Sequence, residues 1–175
     1  MSPSKPAPNA PLVHLALGSN LGDRREHLRR AVAELRARAA AEIVAASALY
    51  ATAAVGIDAG PEFLNAALAL RTPLTPEALL ELCLALESEA GRLRQEGQWT
   101  SRPLDLDLLH WEGVTRDSPR LILPHPRLQE RGFVLAPLRE IAPDLAIRGQ
   151  TIAAWTAAID LTGVQRLADS EGWAA

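Results

Sequence analysis

The chain is almost without lysine. Lys5 is the only one among 18 basic residues and lies in a proline-rich stretch, so every other basic residue is arginine. A phosphate-loop lysine, a protein-kinase lysine and a Schiff-base lysine are thereby excluded from the folded part. Any phosphate held there is held by arginine forks, backbone N–H groups or a metal ion. Cysteine is as scarce. Cys83 alone excludes an internal disulfide and a multi-cysteine zinc site, and its place in a helical apolar pattern marks it as a small buried hydrophobe. Aromatic residues are 4% of the chain, and Phe63 and Phe133 are the two phenylalanines. No apolar run approaches the roughly 20 residues that cross a bilayer, and Met1 to Pro11 lack the apolar core of a signal peptide. Residues 1–11 are therefore expected to form a flexible Pro-rich tail and residues 12–175 a single cytoplasmic domain, with no membrane partner. A net charge of −3 counts against a protein whose main task is gripping a nucleic-acid backbone. With 48% hydrophobic and 22% charged residues, 175 residues suffice for one full-sized core.

What stands out against this background is an acid pair. The run Arg102-Pro103-Leu104-Asp105-Leu106-Asp107-Leu108-Leu109 writes two carboxylates into an apolar, strand-like segment at a spacing of two. Side chains alternate along a strand, so both acids point to one face with Cα atoms about 6.6 Å apart. Aspartate is a poor strand former, and two like charges side by side are worse. A hard cation between them removes the repulsion, and Mg²⁺ takes one or two carboxylates together with waters and substrate phosphates. These residues alone leave two readings, a magnesium–nucleotide site and an edge strand with a solvated acidic face.

The order of elements places the pair. Leu12 to Leu17 reads as a buried strand, followed by a turn at Gly18-Ser19-Asn20-Leu21-Gly22. Asp23 and Glu26 resemble a capping box, and Leu28, Val32 and Leu35 follow at helical spacing, predicting a helix over 23–39. Ile43 to Ala51 and Phe63 to Arg71 are β-like runs. Thr75-Pro76-Glu77 starts a second helix whose stripe of Leu79, Leu82, Cys83, Leu86 and Ala90 stops at Gly91. Loop 91–102 then leads to the acid-bearing strand. The order β-α-β-β-α-β is the ferredoxin-like arrangement, an α+β fold whose antiparallel sheet carries both helices on one face. The other face is expected to be free to build a site. Residues 121–175, with a short apolar stretch from Phe133 to Leu138 and a helix over Thr151 to Ile159, are expected to form a C-terminal extension on the same core.

Alone, Gly18-Ser19-Asn20-Leu21-Gly22-Asp23 reads as a strand-to-helix turn, because it lacks the spacing and the lysine of a phosphate loop. It occurs together with Phe63-Leu64-Asn65-Ala66-Ala67, Glu87 to Arg94, Trp99, the Asp105/Asp107 strand, Pro124-His125-Pro126 and Arg131-Gly132-Phe133. In this order and spacing the set resembles the 6-hydroxymethyl-7,8-dihydropterin pyrophosphokinases of folate biosynthesis, from about residue 12 to 145. The family moves a diphosphate from ATP, its co-substrate, to the hydroxymethyl group of the reduced pterin and releases AMP. The resemblance implies that Asp105 and Asp107 bind two Mg²⁺ ions and that these acids, with Arg92 and Arg102, carry the catalysis. It implies that Glu87, Arg94, Leu108, Arg120, His125 and Arg131 contact ATP. It further implies that Thr52, Gly56, Phe63, Asn65, Trp99 and Phe133 contact the pterin, the two phenylalanines stacking on its faces.

Without the resemblance, Glu87 reads as solvated helix surface, His125 as a loop histidine between prolines, and either phenylalanine as core. The chain departs from the family's pattern at Gln98, where an arginine is frequent, at Thr100-Ser101-Arg102-Pro103, at Ala53-Ala54, and at Leu84 and Ile122, which replace polar residues. Loop 91–102 is expected to close over the substrates and bury Trp99. A monomer is expected. Two rivals remain from the residues alone: a two-metal transferase acting on a nucleic acid, and a regulatory module of the same fold with solvated acids.

Overall fold

The computed structural model describes residues 5–53, 61–91, 101–170 and 172–175. β1 (Val13–Ser19) is an almost continuously apolar run, buried along nearly its whole length, and is an interior strand of the sheet. Asp23 caps α1 (Arg24–Arg38), its carboxylate accepting the Glu26 N–H at 3.1 Å, and Leu28, Ala31, Val32 and Leu35 form the buried stripe. The predicted run Ile43 to Ala51 is divided into β2 (Glu42–Ala46) and β3 (Tyr50–Thr52), which is a correction. Ser47 is the cause. Its N–H donates to the Ala67 carbonyl at 3.0 Å and its hydroxyl accepts the Ala67 N–H at 2.9 Å, while the Trp173 indole donates to its carbonyl at 2.7 Å. These long-range bonds interrupt the strand, so β2 and β3 pair separately with β4 (Phe63–Arg71).

α2 (Pro76–Glu89) begins as predicted, with Thr75 accepting the Ala78 N–H and proline at the first turn, and Gly91 follows it at φ +91. β5 (Asp105–Trp111) lies at one edge of the sheet beside β1, and β4 lies between β1 and the strands β2 and β3. β1, β2/β3, β4 and β5 thus form the antiparallel core of a ferredoxin-like α+β fold. Beyond it come the short hairpin β6 (Arg116–Asp117) and β7 (Ile122–Leu123), then α3 (Gly132–Ile141). The hairpin β8 (Ala146–Ile147) and β9 (Gln150–Thr151) leads to α4 (Ile152–Ala158) and to β10 (Val164–Arg166) against β3.

Two apolar layers flank the sheet. The larger holds the stripes of α1 and α2 against Leu15, Leu17, Leu106 and Leu108. The smaller gathers Val134, Leu135 and Leu138 of α3 and Ile152 of α4 over Ala67 and Leu109. The expectation that the second face is free is therefore corrected: α3 and α4 cover it in part, because the apolar positions of the C-terminal extension need a surface to bury. The site occupies the remainder of that face. Of the segment 1–11, residues 7–10 close a turn with the Ala10 N–H on the Ala7 carbonyl, Pro6 is buried, and the Arg71 guanidinium donates to the Ala10 carbonyl.

Candidate active site

Three strands present one row of the sheet here. Gly18 of β1 lies opposite Asp105 of β5 on one side and Asn65 of β4 on the other, and Ala16 lies opposite Asp107 one row along. Leu106 and Leu108 point into the larger core, so Asp105 and Asp107 share the other face, as their spacing predicts. The glycine is required by the floor between them. A Cβ at position 18 would stand 3.1 Å from Asn65 Oδ1, 3.7 Å from Asp105 Cβ and 3.8 Å from Phe63 Cδ1.

Each acid has its own arginine, and each arginine its own phenyl ring. Arg102 Nη1 is 3.2 Å from Asp105 Oδ1, with its Cζ 5.9 Å from the Phe63 ring centroid. Arg131 Nη1 is 3.4 Å from Asp107 Oδ2, with its Cζ 5.8 Å from the Phe133 centroid. β5 is an edge strand, and its two acids are half-buried and ion-paired, Asp105 being 23% and Asp107 33% exposed.

Burial, then the charge of Asp105, push the Asp107 carboxyl up to about 6 against the pull of Arg131, and Glu87 adds to the rise. Two carboxylates on one face, with hard oxygen donors, are a donor set that suits a divalent cation such as Mg²⁺. Among the described residues no three His, Cys, Asp or Glu side chains are grouped so as to hold a metal ion.

Glu87 is 2% exposed, which corrects its alternative reading as solvated helix surface. Its Oε1 accepts the Leu106 N–H at 2.8 Å, so α2 clamps the outer edge of the strand between the two acids. A groove of about 510 Å³ runs along that edge, with Asp105 to Leu108 as one wall and Leu80, Leu84, Ile122 and His125 among the others. The N–H of His125 donates to the Leu109 carbonyl at 2.8 Å, and its Nδ1 accepts the Arg127 N–H at 3.2 Å. The imidazole therefore carries its proton on Nε2. Burial first, then Arg131 and Arg127, lower its pKa to about 4, so it is neutral near pH 7. Arg120 also lines the groove, exposed and ion-paired with Glu81.

On the other flank Asn65 is buried, and its Nδ2 donates to Thr52 Oγ1 at 2.7 Å. Thr52 lies opposite Phe63 across the strands, which brings Thr52, Phe63 and Asn65 together beside Asp105. Phe133, at the start of α3, packs partly on the smaller core. Gly56, Arg92, Arg94 and Trp99, with Gln98 and most of the loop expected to close, lie outside the described residues. Gly18 and Asn20 belong to the run that carries part of the resemblance, without an individual role in the sequence. The signal available for both was the Gly-Ser-Asn run directly after an apolar strand, which reads equally well as a turn.

Comparison with known proteins identifies the family. A family profile described as 7,8-dihydro-6-hydroxymethylpterin-pyrophosphokinase (HPPK) matches residues 14–143. The chain is 46% identical over 155 residues to the 2-amino-4-hydroxy-6-hydroxymethyldihydropteridine pyrophosphokinase of Methylorubrum extorquens, covering 89% of this chain and 98% of that one. It is 46% identical over 130 residues to the enzyme of the same name from Bacillus subtilis, covering 74% and 77%. Among solved structures, an HPPK-DHPS in complex with substrates superposes with a TM-score of 0.70 over 90% of this chain, at 12% identity. The wild-type Plasmodium falciparum HPPK-DHPS with pterin and p-hydroxybenzoate does so with 0.66 over 90%, at 14% identity. The chain spans a little under half the length of those two, 46% in each case, and at this identity they show the fold alone.

Proposed function

The chain belongs to the 7,8-dihydro-6-hydroxymethylpterin-pyrophosphokinase family, and from that membership we propose how its residues divide the reaction between two substrates. The enzyme transfers a diphosphate from ATP to the hydroxymethyl group of 6-hydroxymethyl-7,8-dihydropterin in folate biosynthesis, releasing AMP. The observation that carries the division of labour is the pair of linked contacts, Asp105–Arg102–Phe63 and Asp107–Arg131–Phe133. Each joins a candidate metal carboxylate to a candidate wall of the pterin pocket through an arginine able to bind phosphate.

In this reading Asp105 and Asp107 hold two Mg²⁺ ions, which when bound supply charge neutralisation at the phosphate oxygens. Arg102 and Arg131, with Arg92 and Arg94, grip the triphosphate. Their planar forks make paired hydrogen bonds to phosphate that a lysine does not match. The groove along β5 takes the rest of the nucleotide, with Leu108 and Glu87 in its wall, Arg120 at its rim, and neutral His125 offering its Nε2–H. Asn65 and Thr52, with Gly56, meet the polar edge of the pterin. Phe63 and Phe133 stack on its faces, and Trp99 adds a further contact.

The hydroxyl of the pterin then attacks the β-phosphorus as AMP leaves. That chemistry needs alignment and charge stabilisation more than a strong base. A cytoplasmic monomer completes the proposal, and the single buried free thiol, Cys83, needs no oxidising compartment.

The test is direct. With Mg-ATP and the reduced pterin, the product should be AMP and not ADP. Asp105→Asn and Asp107→Asn should each lose at least about 10²-fold in turnover, the usual loss when charge stabilisation of a transferring phosphoryl group is removed. Parent-like rates in both variants would refute the metal assignment.

A further inference from the structure

Asn20 stands one residue beyond β1, is 2% exposed, and commits its side chain to the two stretches of chain that border the site. Its Oδ1 accepts the Arg102 N–H at 2.6 Å, while its own N–H donates to the Arg102 carbonyl at 3.1 Å. Its Nδ2 donates to the Pro61 carbonyl and to Ser101 Oγ, each at 3.1 Å. The one acceptor atom and both donors of the amide are thus engaged, and no other side chain of this size supplies that set. Aspartate keeps the acceptor and loses the donors. Alanine loses both and removes the acceptor of the half-buried Arg102 N–H.

The two stretches lead to different substrates. Arg102 carries the guanidinium that meets Asp105 on the phosphate side, and Pro61 lies two residues before Phe63 on the pterin side. We propose that Asn20 is a positioning residue of the transfer, holding Arg102 and the approach to Phe63 in fixed relation so that the phosphate half and the pterin half of the site form as one unit. The inference rests on the assignment of Arg102, Asp105 and Phe63 given above. Transfer between two bound substrates is sensitive to displacements of the order of 1 Å, which cost about 10²-fold in rate. Losing the residue that sets this relation therefore acts on turnover before it acts on either binding step.

The experiment compares Asn20→Ala, Asn20→Asp, Arg102→Ala and the double variant Asn20→Ala/Arg102→Ala. It uses kcat, calorimetric affinity for a non-hydrolysable Mg-ATP analogue alone, pterin affinity with that analogue present, and thermal unfolding. Asn20→Ala is expected to lose about 10²-fold in kcat while affinity for the analogue alone stays within about threefold of the parent. Added to Arg102→Ala, it is expected to cost less than about threefold more, because it acts through that residue. Asn20→Asp, which retains the grip on Arg102 but releases Pro61 and Ser101, is expected to fall between parent and Asn20→Ala, with pterin affinity the quantity it weakens.

Parent-like kcat in Asn20→Ala beside a crippled Arg102→Ala would overturn the inference and leave the site assignment standing. Losses that multiply in the double variant would also overturn it. A parent-like Arg102→Ala would overturn the site assignment itself. If Asn20→Ala cannot be isolated folded, Asn20→Asp decides: lowered kcat with unchanged analogue affinity supports the inference, and parent-like kcat ends it.

Discussion

The carboxylate of Glu87, on α2, accepts the backbone N–H of Leu106 at 2.8 Å, which sets a buried third acid against the strand residue that separates Asp105 from Asp107. Glu87→Ala leaves that edge N–H without its partner and should destabilise the fold by about 1–3 kcal/mol. Glu87→Gln keeps an acceptor and removes the charge. Because the Glu87 charge is one of the causes that raise Asp107, the glutamine variant should titrate Asp107 at lower pH with little change in melting temperature. Carboxyl NMR titration of the metal-free protein reads the first effect and thermal unfolding the second. An unmoved Asp107 midpoint would contradict the arrangement.

Magnesium affinity should depend on pH through Asp107. With its carboxyl near 6, the metal-free protein carries a proton there below that pH, and a cation must displace it. Affinity should therefore rise with pH up to about 6 and level off above it, falling by up to about tenfold per pH unit below. Calorimetry in two buffers of different ionisation enthalpy should detect proton release on Mg²⁺ binding at pH 5 and almost none at pH 8. Proton release at pH 5 that persists undiminished in Asp107→Asn would place the responsible group elsewhere.

Gly18→Ala tests the floor of the site. The new Cβ would stand 3.1 Å from Asn65 Oδ1, and Asn65 is held on its far side by Thr52. Displacing that amide by a few tenths of an ångström should weaken pterin binding by about tenfold, the scale of a misplaced buried hydrogen bond. Binding of an ATP analogue should change much less. Equal losses for both ligands would mean that the strain spreads to β5.

At the opposite end of β1, the buried ring of His14 lies 3.4 Å, Nδ1 to Nδ1, from His110, and burial first and then His110 lower its pKa to about 4, against an opposing pull from Glu112. The folded state thus binds fewer protons than the unfolded chain between pH 6.5 and 4. Stability from this group is present above about 6.5 and is lost as pH falls towards 4, by something on the order of 1–3 kcal/mol. Asp107 acts in the opposite sense in the metal-free protein, its raised pKa favouring the fold as pH drops below about 6. The informative measurement is therefore the difference between parent and His14→Leu in urea unfolding at pH 7 and pH 5. The leucine variant should lose less on acidification, and parallel losses would show that His14 is not the acid-sensitive group.

Local signals in this chain carried far. The caps at Asp23 and at Thr75-Pro76, the stripes of both helices and the shared face of Asp105 and Asp107 all follow from neighbours within a few residues. They are legible because capping, helical spacing and strand alternation are short-range properties. The break at Ser47 was not legible, since the bonds that cause it reach Ala67 and Trp173. Nor was α3. Pro137 at its sixth position withholds a backbone donor, yet its apolar side chains are buried over Ala67 and Leu109, and that packing outweighs the missing bond.

Residue type and spacing carried the order of the βαββαβ core, the resemblance to the family, and the set of candidate site residues. Folding settled the long-range meetings and fixed the geometry of the near ones, such as Arg102 with Asp105 three residues on. It buried Glu87 against Leu106, gave each acid an arginine and each arginine a phenyl ring, covered part of the second sheet face with α3 and α4, and made Asn20 the tie between residues 61 and 102. Such contacts join positions up to tens of residues apart. They follow from how the sheet closes and what it buries, and no local periodicity encodes them.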